Sequence, residues 1–294
     1  MAARILSGKD TARTIREEVA VRAAAFRERA GRPPGLTVVL VGEDPASQVY
    51  VGRKEKASAV VGIRNETIRL SAETSQEELL ALVQRLNETE EVDGLLVQLP
   101  LPDHCDERAV IEAIAPTKDV DGFHPVSQGR MLAGLPGLRP CTPAGIVELL
   151  RRGEVDTSGA HAVIVGRSNI VGKPVAAMLV QKADGANATV TICHSRTPDL
   201  GAFTRTADIL IAAMGRPQAI TAEMVKPGAA VVDVGIHRIE DPTAPKGTRL
   251  CGDVDYDPVA EIASAITPVP GGVGPMTVAM LMHNTVQAAE GRNP

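Results

Sequence analysis

One segment in the second half of the chain, residues 161–174, constrains the fold more than any other. It opens with the apolar run Ala-Val-Ile-Val, which predicts a buried parallel strand. It ends at Pro174, which suits the first turn of a helix because a backbone N–H there would lack a partner. Gly166 and Gly172 bound the loop in between. Since the first N–H groups of the helix would point into this loop, the segment predicts an anion site of the kind that holds the pyrophosphate of a dinucleotide.

The loop departs from the usual dinucleotide fingerprint, because five residues separate its two glycines and the pattern G-x-G-x-x-G does not occur there. An ordinary strand-to-helix turn is therefore the alternative. The end of the next predicted strand favours the cofactor site. An NAD enzyme usually carries an acid there for the ribose hydroxyl groups, whereas this chain has His194, Ser195 and Arg196. Together with Arg167 in the first loop, this acid-free pattern favours a ribose 2′-phosphate and thus NADP over NAD.

Composition sets the class of protein. The 294 residues leave room for two domains, and a chain with no Trp, two Tyr and three Phe must build aliphatic cores, as parallel sheets covered by helices do. A net charge of −5 gives no basic stripe, so no nucleic acid partner is expected. No apolar run is long enough to span a bilayer, and the first residues lack the apolar core of a signal peptide. We therefore expect a cytoplasmic protein with no membrane partner.

The four cysteines are scattered along the chain, and no C-x-x-C pair is present. This spacing predicts neither a disulfide framework nor a structural zinc site. The metalloprotease pattern H-E-x-x-H does not occur either. No metal is expected.

Strand and helix signals alternate along both halves. Strands are predicted at residues 36–42, 64–70, 94–100, 161–166, 188–194, 209–214 and 229–234, and helices at residues 10–30, 45–61, 76–87, 106–114 and 275–290. This alternation predicts an α/β protein with doubly wound parallel sheets and right-handed crossovers. The Gly/Pro-rich stretch 129–143 is the best candidate for a domain junction, and ligands are expected in a cleft between the halves, beyond the carboxyl ends of the strands.

Three polar positions in the first half are candidates for chemistry. Tyr50 and Lys54 share one face of a predicted helix, so a tyrosine that stacks on a planar ligand would lie beside an ammonium that transfers protons; a solvated surface lysine is the alternative. Gln98 ends an apolar strand, and its amide either pairs with nearby backbone or meets a ligand at the sheet edge. In the turn at 118–124, an aspartate such as Asp121 either accepts from its own backbone or binds the N–H edge of a heterocycle.

A second glycine-dense loop, residues 266–277, also precedes a predicted helix. Its glycines and prolines make a stiff backbone that a ligand can approach closely, and a plain connector is the alternative. A flat ligand is expected to lie against the main chain at Pro270, Gly271 and Gly272.

Five motifs resemble the family of bifunctional methylenetetrahydrofolate dehydrogenase/methenyltetrahydrofolate cyclohydrolase. They are YVGRKEK from residue 50, GLLVQLPLP from residue 94, KDVDGF from residue 118, GRSNIVGKP from residue 166 and TPVPGGVGPMT from residue 267. They occur in order over nearly the whole chain, which makes the set far more specific than any one glycine loop.

The resemblance implies a catalytic, folate-binding domain at 1–140 joined by the C-terminal helix 271–294, and a Rossmann-type NADP domain at 141–270. It implies a homodimer that oxidises methylenetetrahydrofolate with NADP and hydrolyses the methenyl product to formyltetrahydrofolate, in one-carbon metabolism and purine biosynthesis. In the active site, it places Lys54 as the catalytic lysine, Tyr50 as its aromatic neighbour, Gln98 as the residue that tunes the lysine, and Asp121 as the anchor of the pterin. At the cofactor, it places Gly166, Arg167, Ser168, Ser195 and Ile236, to which the loop and charge arguments add Gly172 and Arg196.

Three other functions compete with this interpretation. Two are enzymes, a dehydrogenase-only NAD-linked folate enzyme and an oxidoreductase like shikimate dehydrogenase. The third is a non-catalytic NADP-sensing module, which would have no evident need for the set Tyr50, Lys54, Gln98 and Asp121.

Overall fold

The computed structural model describes residues 3–244 and 247–292. The strands are β1 (Arg4–Ile5), β2 (Gly35–Val41), β3 (Arg64–Leu70), β4 (Gly94–Val97), β5 (His161–Val165), β6 (Thr189–Cys193), β7 (Ile209–Ala212), β8 (Ala230–Asp233), β9 (His237–Glu240), β10 (Thr248–Cys251) and β11 (Ala265–Ile266). The helices are α1 (Gly8–Ala30), α2 (Pro45–Val61), α3 (Gln76–Glu88), α4 (Glu107–Ala113), α5 (Pro125–Leu132), α6 (Cys141–Arg152), α7 (Gly172–Leu179), α8 (Leu200–Thr204), α9 (Tyr256–Ile262) and α10 (Val273–Arg292), with a 3₁₀ turn at Ala222–Met224.

These elements form two compact units. The three-stranded unit takes in residues 13–141 and the chain from Val278 onward, and the six-stranded unit takes in the chain up to Ala12 and residues 142–277. The three-stranded unit has a parallel sheet in the order β3–β2–β4. Every residue of the central strand β2 is buried, because a parallel sheet is covered on both faces, and this explains why its sequence is apolar apart from Thr37.

Helix α2 of the three-stranded unit has defined ends. The Asp44 carboxylate accepts a hydrogen bond from the Ser47 backbone N–H at 2.7 Å, and Gly62 ends the helix in the left-handed conformation with φ 76°. These caps fix the helical phase of the segment that carries Tyr50 and Lys54.

The six-stranded unit has an all-parallel sheet in the order β1–β11–β8–β7–β5–β6. The strand order reverses at β5, which has β6 on one side and β7 followed by β8 on the other. The carboxyl ends of β5 and β7 therefore flank the topological switch point, where doubly wound folds bind their ligands. The predicted α/β class with a doubly wound parallel sheet is confirmed.

Several elements lie outside the sequence prediction. The strands β1 and β11 are two residues each, too short to show a period, and the antiparallel hairpin β9–β10 alternates partly buried and exposed residues. The predicted strand 94–100 ends at Val97, before Pro100, whose nitrogen carries no hydrogen for a sheet ladder.

The compact units differ from the predicted domain ranges at both ends of the chain. β1 pairs with β11, so the first residues join the six-stranded sheet, whereas the prediction assigned them to the catalytic domain with the rest of 1–140. At the other end the boundary lies within α10, after Thr277, and not at 271. Which unit binds which ligand stays a prediction at this point.

Candidate functional site

Lys54 and Gln98 meet in the three-stranded unit. Lys54 lies on α2 with only 7% of its surface exposed, and its Nζ donates to Gln98 Oε1 at 2.9 Å. Gln98 is the first residue after β4, and its Nε2 donates to the Leu99 carbonyl at 2.7 Å. The backbone pairing expected for Gln98 is therefore present at one end of the amide, and the other end holds the lysine. A contact between Gln98 and a ligand stays a prediction.

Tyr50 lies one helical turn before Lys54 and is half-buried. The guanidinium carbon of Arg53 lies 5.7 Å from the centre of the Tyr50 ring, so a cation–π contact helps to fix the ring. Lys56, two residues beyond Lys54, is exposed. The helix thus turns one lysine inward and the other toward solvent, as the helical spacing predicts.

Asp119 and Asp121, the two acids in the turn after α4, have different surroundings. Asp119 is buried and accepts from the backbone N–H groups of Phe123 at 3.2 Å and His124 at 2.9 Å and from Ser127 Oγ at 2.8 Å. Burial raises the pKa of the Asp119 carboxyl, and these hydrogen bonds oppose the rise. The turn chemistry therefore belongs to Asp119, and Asp121 is left for another role.

Asp121 is half-buried and, together with the buried Asp119, lines a small pocket whose other walls are apolar. The apolar lining comes from Leu95, Leu96, Val97, Leu99, Val110, Ile111, Ile114 and Phe123. A carboxylate on an apolar wall can accept hydrogen bonds from a flat ring with N–H groups along one edge.

Cys141 and Asn284 hold the backbone beside Asp121, and sequence reasoning did not find them. Asn284 on α10 donates from Nδ2 to the carbonyls of Val120 and Arg139, each at 2.8 Å. The Cys141 thiol lies 3.2 Å from the same Val120 carbonyl. Burial raises the pKa of this thiol, Asp121 adds to the rise and Lys54 opposes it. The polar amide of Asn284, close after the apolar run 278–282 of α10, was the available signal.

Lys118, the first residue of the motif KDVDGF, contacts backbone at the end of a helix. Its Nζ donates to the carbonyls of Leu86 at 3.0 Å and Thr89 at 2.7 Å, at the end of α3. Burial, followed by the positive charge of Arg292, lowers the pKa of Lys118 to about 8. Its side chain therefore donates to carbonyls at the end of the helix, where the last C=O groups lack partners within the helix.

The glycine loop of the six-stranded unit follows β5 at the switch point. Gly166 has φ 144°, and a Cβ there would overlap the carbonyl oxygen of Ala213, just after β7. A Cβ on Gly172 would overlap the Gly166 carbonyl. Both glycines are thus required by close backbone contacts, which join the loop to the end of β7 and to the start of α7.

The polar residues around this loop lie at one edge of the sheet. Ser168 Oγ accepts from the backbone N–H groups of Val171 at 3.1 Å and Gly172 at 3.3 Å, so its hydroxyl also shapes the loop. Arg167 is exposed in the same loop, and Ser195 and Arg196 are exposed in the loop after β6, the strand beside β5. An anionic group at this edge would meet positive charge from both loops.

Ile236, another predicted cofactor contact, follows β8 and is 47% exposed. The carboxyl ends of β5, β6, β7 and β8 share one edge because neighbouring strands are parallel. An exposed isoleucine at this edge offers an apolar surface for a ring.

The second glycine loop follows β11 in the six-stranded unit. Pro270 is exposed, the Gly271 carbonyl accepts from the Lys9 backbone N–H at 2.9 Å, and a Cβ on Gly272 would overlap the Pro268 carbonyl. The predicted substrate contacts in this loop therefore belong to one unit, whereas Tyr50 and Asp121 belong to the other.

Two buried acids, Asp233 and Asp253, lie at the same edge and were not predicted. Burial raises the pKa of Asp233 to about 6, and its hydrogen bonds from the backbone oppose the rise. Asp253 is fully buried and lies 2.7 Å from His237 Nε2. An aspartate at the end of the apolar run Ala-Val-Val-Asp was a signal for Asp233, because an acid is rarely buried without partners.

Two further observations concern the described residues. No group of three or more His, Cys, Asp or Glu side chains within 3–244 and 247–292 has an arrangement that could hold a metal ion. No helix in these ranges combines the length and apolarity needed to cross a membrane.

A doubly wound sheet with a glycine loop at its switch point, together with a buried lysine held by a glutamine, defines a dinucleotide-dependent α/β enzyme. Comparison with known proteins identifies the family. Residues 6–121 match the family model described as tetrahydrofolate dehydrogenase/cyclohydrolase, catalytic domain, and residues 140–293 match the one described as tetrahydrofolate dehydrogenase/cyclohydrolase, NAD(P)-binding domain.

Relatives agree over nearly the full length. The chain is 57% identical to the bifunctional protein FolD of Oleidesulfovibrio alaskensis over 96% of both chains. Among solved structures, the FolD enzyme of Campylobacter jejuni has a TM-score of 0.93 at 46% identity and covers 99% of this chain and 100% of its own. The FolD enzyme of Trypanosoma brucei, solved with NADP cofactor and inhibitor, has a TM-score of 0.92 at 40% identity and 99% coverage of both chains.

The chain belongs to the tetrahydrofolate dehydrogenase/cyclohydrolase family. The predicted resemblance and the predicted bifunctional enzyme, with a dehydrogenase and a cyclohydrolase activity, are confirmed over the three rival functions. The prediction of a nicotinamide dinucleotide cofactor is confirmed by the NAD(P)-binding domain model.

Proposed function

We propose that this chain oxidises methylenetetrahydrofolate with NADP and hydrolyses the resulting methenyltetrahydrofolate to formyltetrahydrofolate. The observation that carries the proposal is the buried Lys54 ammonium held 2.9 Å from Gln98 Oε1, on a unit separate from the glycine loop. The three-stranded unit would bind the folate and supply the proton chemistry, and the six-stranded unit would bind the cofactor.

The oxidation removes a hydride from the methylene carbon, and the two flanking nitrogens share the positive charge that results. NADP, when bound, supplies the acceptor for this hydride. No protein base is needed for this step, so the chain contributes binding and orientation.

The hydrolysis requires proton transfer. The oxygen of water bonds to the methenyl carbon and loses one proton, which gives a neutral hydroxyl adduct. The hydroxyl then loses its proton as the C=O bond forms, one carbon–nitrogen bond breaks and its nitrogen gains a proton, so one proton is released overall. Lys54 would carry these protons, since its Nζ is the basic group on the inward face of α2. Gln98 would hold the amine in place through a neutral hydrogen bond, which adds no negative charge beside a cationic substrate.

The remaining substrate contacts follow from shape and chemistry. Asp121 would accept hydrogen bonds from the N–H edge of the pterin, because it is the acid left free by the turn role of Asp119. Tyr50 would stack on the flat part of the folate one helical turn from Lys54. Pro270, Gly271 and Gly272 would offer their backbone to the substrate from the second glycine loop.

The cofactor preference would come from charge. Arg167 and Arg196, with the Ser195 hydroxyl, would bind the 2′-phosphate of NADP from the loops after β5 and β6. Gly166, Ser168 and Gly172 would bind the pyrophosphate through the loop and the first turn of α7, and Ile236 would pack against a ring of the cofactor.

A spectrophotometric assay tests this proposal. Methylenetetrahydrofolate is mixed with the purified full chain and either NADP or NAD, and preformed methenyltetrahydrofolate is assayed for hydrolysis in parallel. We expect reduction of NADP with a higher kcat/KM than NAD, together with hydrolysis of the methenyl compound. Hydrolysis without reduction of either dinucleotide, or reduction without hydrolysis, would contradict the proposed pair of activities.

The family resemblance also leads us to propose a homodimer that works in the cytoplasm. Sedimentation equilibrium of the full chain should give twice the monomer mass of 30.8 kDa. A monomer mass at all concentrations used in the assay would overturn the dimer.

A further inference from the structure

Asp253 organises the loop that follows β7, and neither the sequence motifs nor the reaction chemistry gives it a role. It is completely buried, and its carboxylate accepts from three successive backbone N–H groups, those of Met214 at 2.7 Å, Gly215 at 3.0 Å and Arg216 at 2.9 Å. Three N–H groups in a row converge on one carboxylate only if the backbone bends around it. The conformation of residues 214–216 therefore depends on this side chain.

Asp253 also reaches the segment after β8. Its Oδ1 lies 2.7 Å from His237 Nε2, and His237 directly follows the exposed Ile236. One buried carboxylate thus contacts two loops that leave the same edge of the sheet.

Asp233, the last residue of β8, continues the network. Its carboxylate accepts from the backbone N–H groups of Gly235 at 3.0 Å, Asp253 at 2.9 Å and Val254 at 3.0 Å. Its own backbone N–H donates to Thr267 Oγ1 at 2.7 Å, where the second glycine loop begins. Asp233 therefore holds the segment that carries Asp253 and joins it to the end of β11.

Two glycines show that both carboxylates are packed against backbone. A Cβ on Gly235 would overlap the Asp253 carboxylate, and a Cβ on Gly252 would overlap the Asp233 carboxylate. No side-chain carbon fits at either position, so the two acids fill the space between the loops.

The loop that Asp253 shapes borders the switch point. The Ala213 carbonyl, one residue before the three N–H groups, is the atom that a Cβ on Gly166 would overlap. The loops after β7 and β5 are thus in direct contact, so a shift in residues 214–216 would displace the glycine loop.

We infer that Asp253 and Asp233 are positioning residues for the dinucleotide site: they hold the loops after β7, β8 and β11 in the shape that the cofactor requires. This inference rests on the proposed function, since it assigns the cofactor to that edge. Hydrolysis of the methenyl compound consumes no dinucleotide, and this difference separates a positioning role from a general contribution to folding.

The test uses Asp253→Asn in the full chain. The amide keeps the shape of the carboxylate but replaces one acceptor oxygen with an NH₂ group, which cannot accept from the loop N–H groups. We expect the Kd for NADP, measured by isothermal titration calorimetry, to rise about tenfold. The kcat and KM for hydrolysis of methenyltetrahydrofolate should stay within about twofold of the wild type.

Asp208→Asn is the matched control. Asp208 lies at the opposite, amino-terminal edge of the same sheet and accepts from the His161 backbone N–H at 2.8 Å and from Lys226 Nζ at 2.6 Å. The Asp208→Asn variant also weakens hydrogen bonds and removes an ion pair, but Asp208 contacts no loop at the switch point. We expect its Kd for NADP to stay within about twofold of the wild type.

A milder variant, His237→Ala, removes one partner of Asp253 at a partly exposed position and guards against a folding failure of Asp253→Asn. We expect a rise of about threefold in the Kd for NADP, reversed by His237→Gln, whose amide can again donate to the acid. An unchanged Kd in both Asp253→Asn and His237→Ala, or loss of both activities together in His237→Ala, would overturn the positioning role. A wild-type chain that binds no dinucleotide would overturn the proposed function instead, so the two failures are distinguishable.

Discussion

The carboxyl edges of the two sheets are built in different ways. At the edge of the three-stranded sheet, side chains converge: Lys54 from α2 meets Gln98 just after β4. At the edge of the six-stranded sheet, the main chain is brought close, because Gly166 and Gly172 have no room for a Cβ. The contact between Lys54 and Gln98 requires particular functional groups. The glycine loop requires two positions that have no side chain.

This difference predicts opposite sensitivities to mutation. Removal of the Lys54 amine at constant side-chain size should impair hydrolysis. Addition of one apolar methyl group at Gly166 should impair binding of the dinucleotide. The two activities of the enzyme provide separate readouts, since only the oxidation uses the dinucleotide.

The largest effect is expected for Lys54→Met, which keeps the length of the side chain and removes its amine. Hydrolysis of methenyltetrahydrofolate should fall by about 10²–10⁴-fold, the usual contribution of a general acid or base, while NADP-dependent oxidation stays measurable. Stopped assays of both reactions check this. Lys56→Met is the control on the same helix, because that lysine is exposed, and it should leave both rates near the wild-type values.

The next effect is expected for Gly166→Ala. Alanine would be strained at the φ of 144° that residue 166 has, and its methyl group would displace the Ala213 carbonyl. Together these effects should cost about 2–3 kcal/mol in the folded loop. We expect kcat/KM for NADP to fall by about 30-fold or more, with hydrolysis retained. Gly159→Ala has a similar left-handed strain at φ 73° but open space around it, so equal losses in both variants would show that close approach is not the reason.

A smaller effect is expected for Arg167→Ala. Loss of one charge-assisted hydrogen bond to the 2′-phosphate should lower kcat/KM for NADP about tenfold and leave the value for NAD nearly unchanged. Steady-state kinetics with each dinucleotide measure the ratio. Arg238→Ala, at an exposed arginine on the hairpin, is the comparison for the kcat/KM values. An equal loss of kcat/KM for NADP and NAD in Arg167→Ala would contradict the charge argument.

The smallest effect concerns stability. Because the pKa of Lys118 is about 8 in the folded chain, below its usual 10.5, the unfolded chain binds more protons between these pH values. The free energy of unfolding should therefore rise with pH over this window, by about 1–3 kcal/mol more in the wild type than in Lys118→Met. Urea unfolding at pH 7.5 and pH 10 measures the difference, and parallel slopes for the two proteins would exclude this role.

The sequence predicts features that depend on neighbouring residues better than contacts between residues far apart in the chain. Tyr50 and Lys54 follow from helical spacing, and Gly166 and Gly172 follow from the demands of a strand–loop–helix junction, since each depends on residues close in the chain. Gln98 could be placed at a strand end, but its lysine partner lies 44 residues away and no local pattern shows that pairing.

The buried acids show the limit most clearly. Asp253 serves backbone groups of residues 214–216, nearly 40 positions earlier, and such a contact has no motif because any sequence supplies backbone N–H groups. Likewise, Asp119 and Asp121 look equivalent in the sequence. Both line the same pocket, and only the folded turn shows that the Asp119 carboxylate accepts hydrogen bonds from backbone N–H groups.

The most direct test of the division between the two edges is the ratio of oxidation to hydrolysis, measured side by side in Lys54→Met and Gly166→Ala. We expect this ratio to rise in the lysine variant and to fall in the glycine variant, each by at least about tenfold. A ratio that stays constant in both variants, with the two activities lost together, would contradict this division.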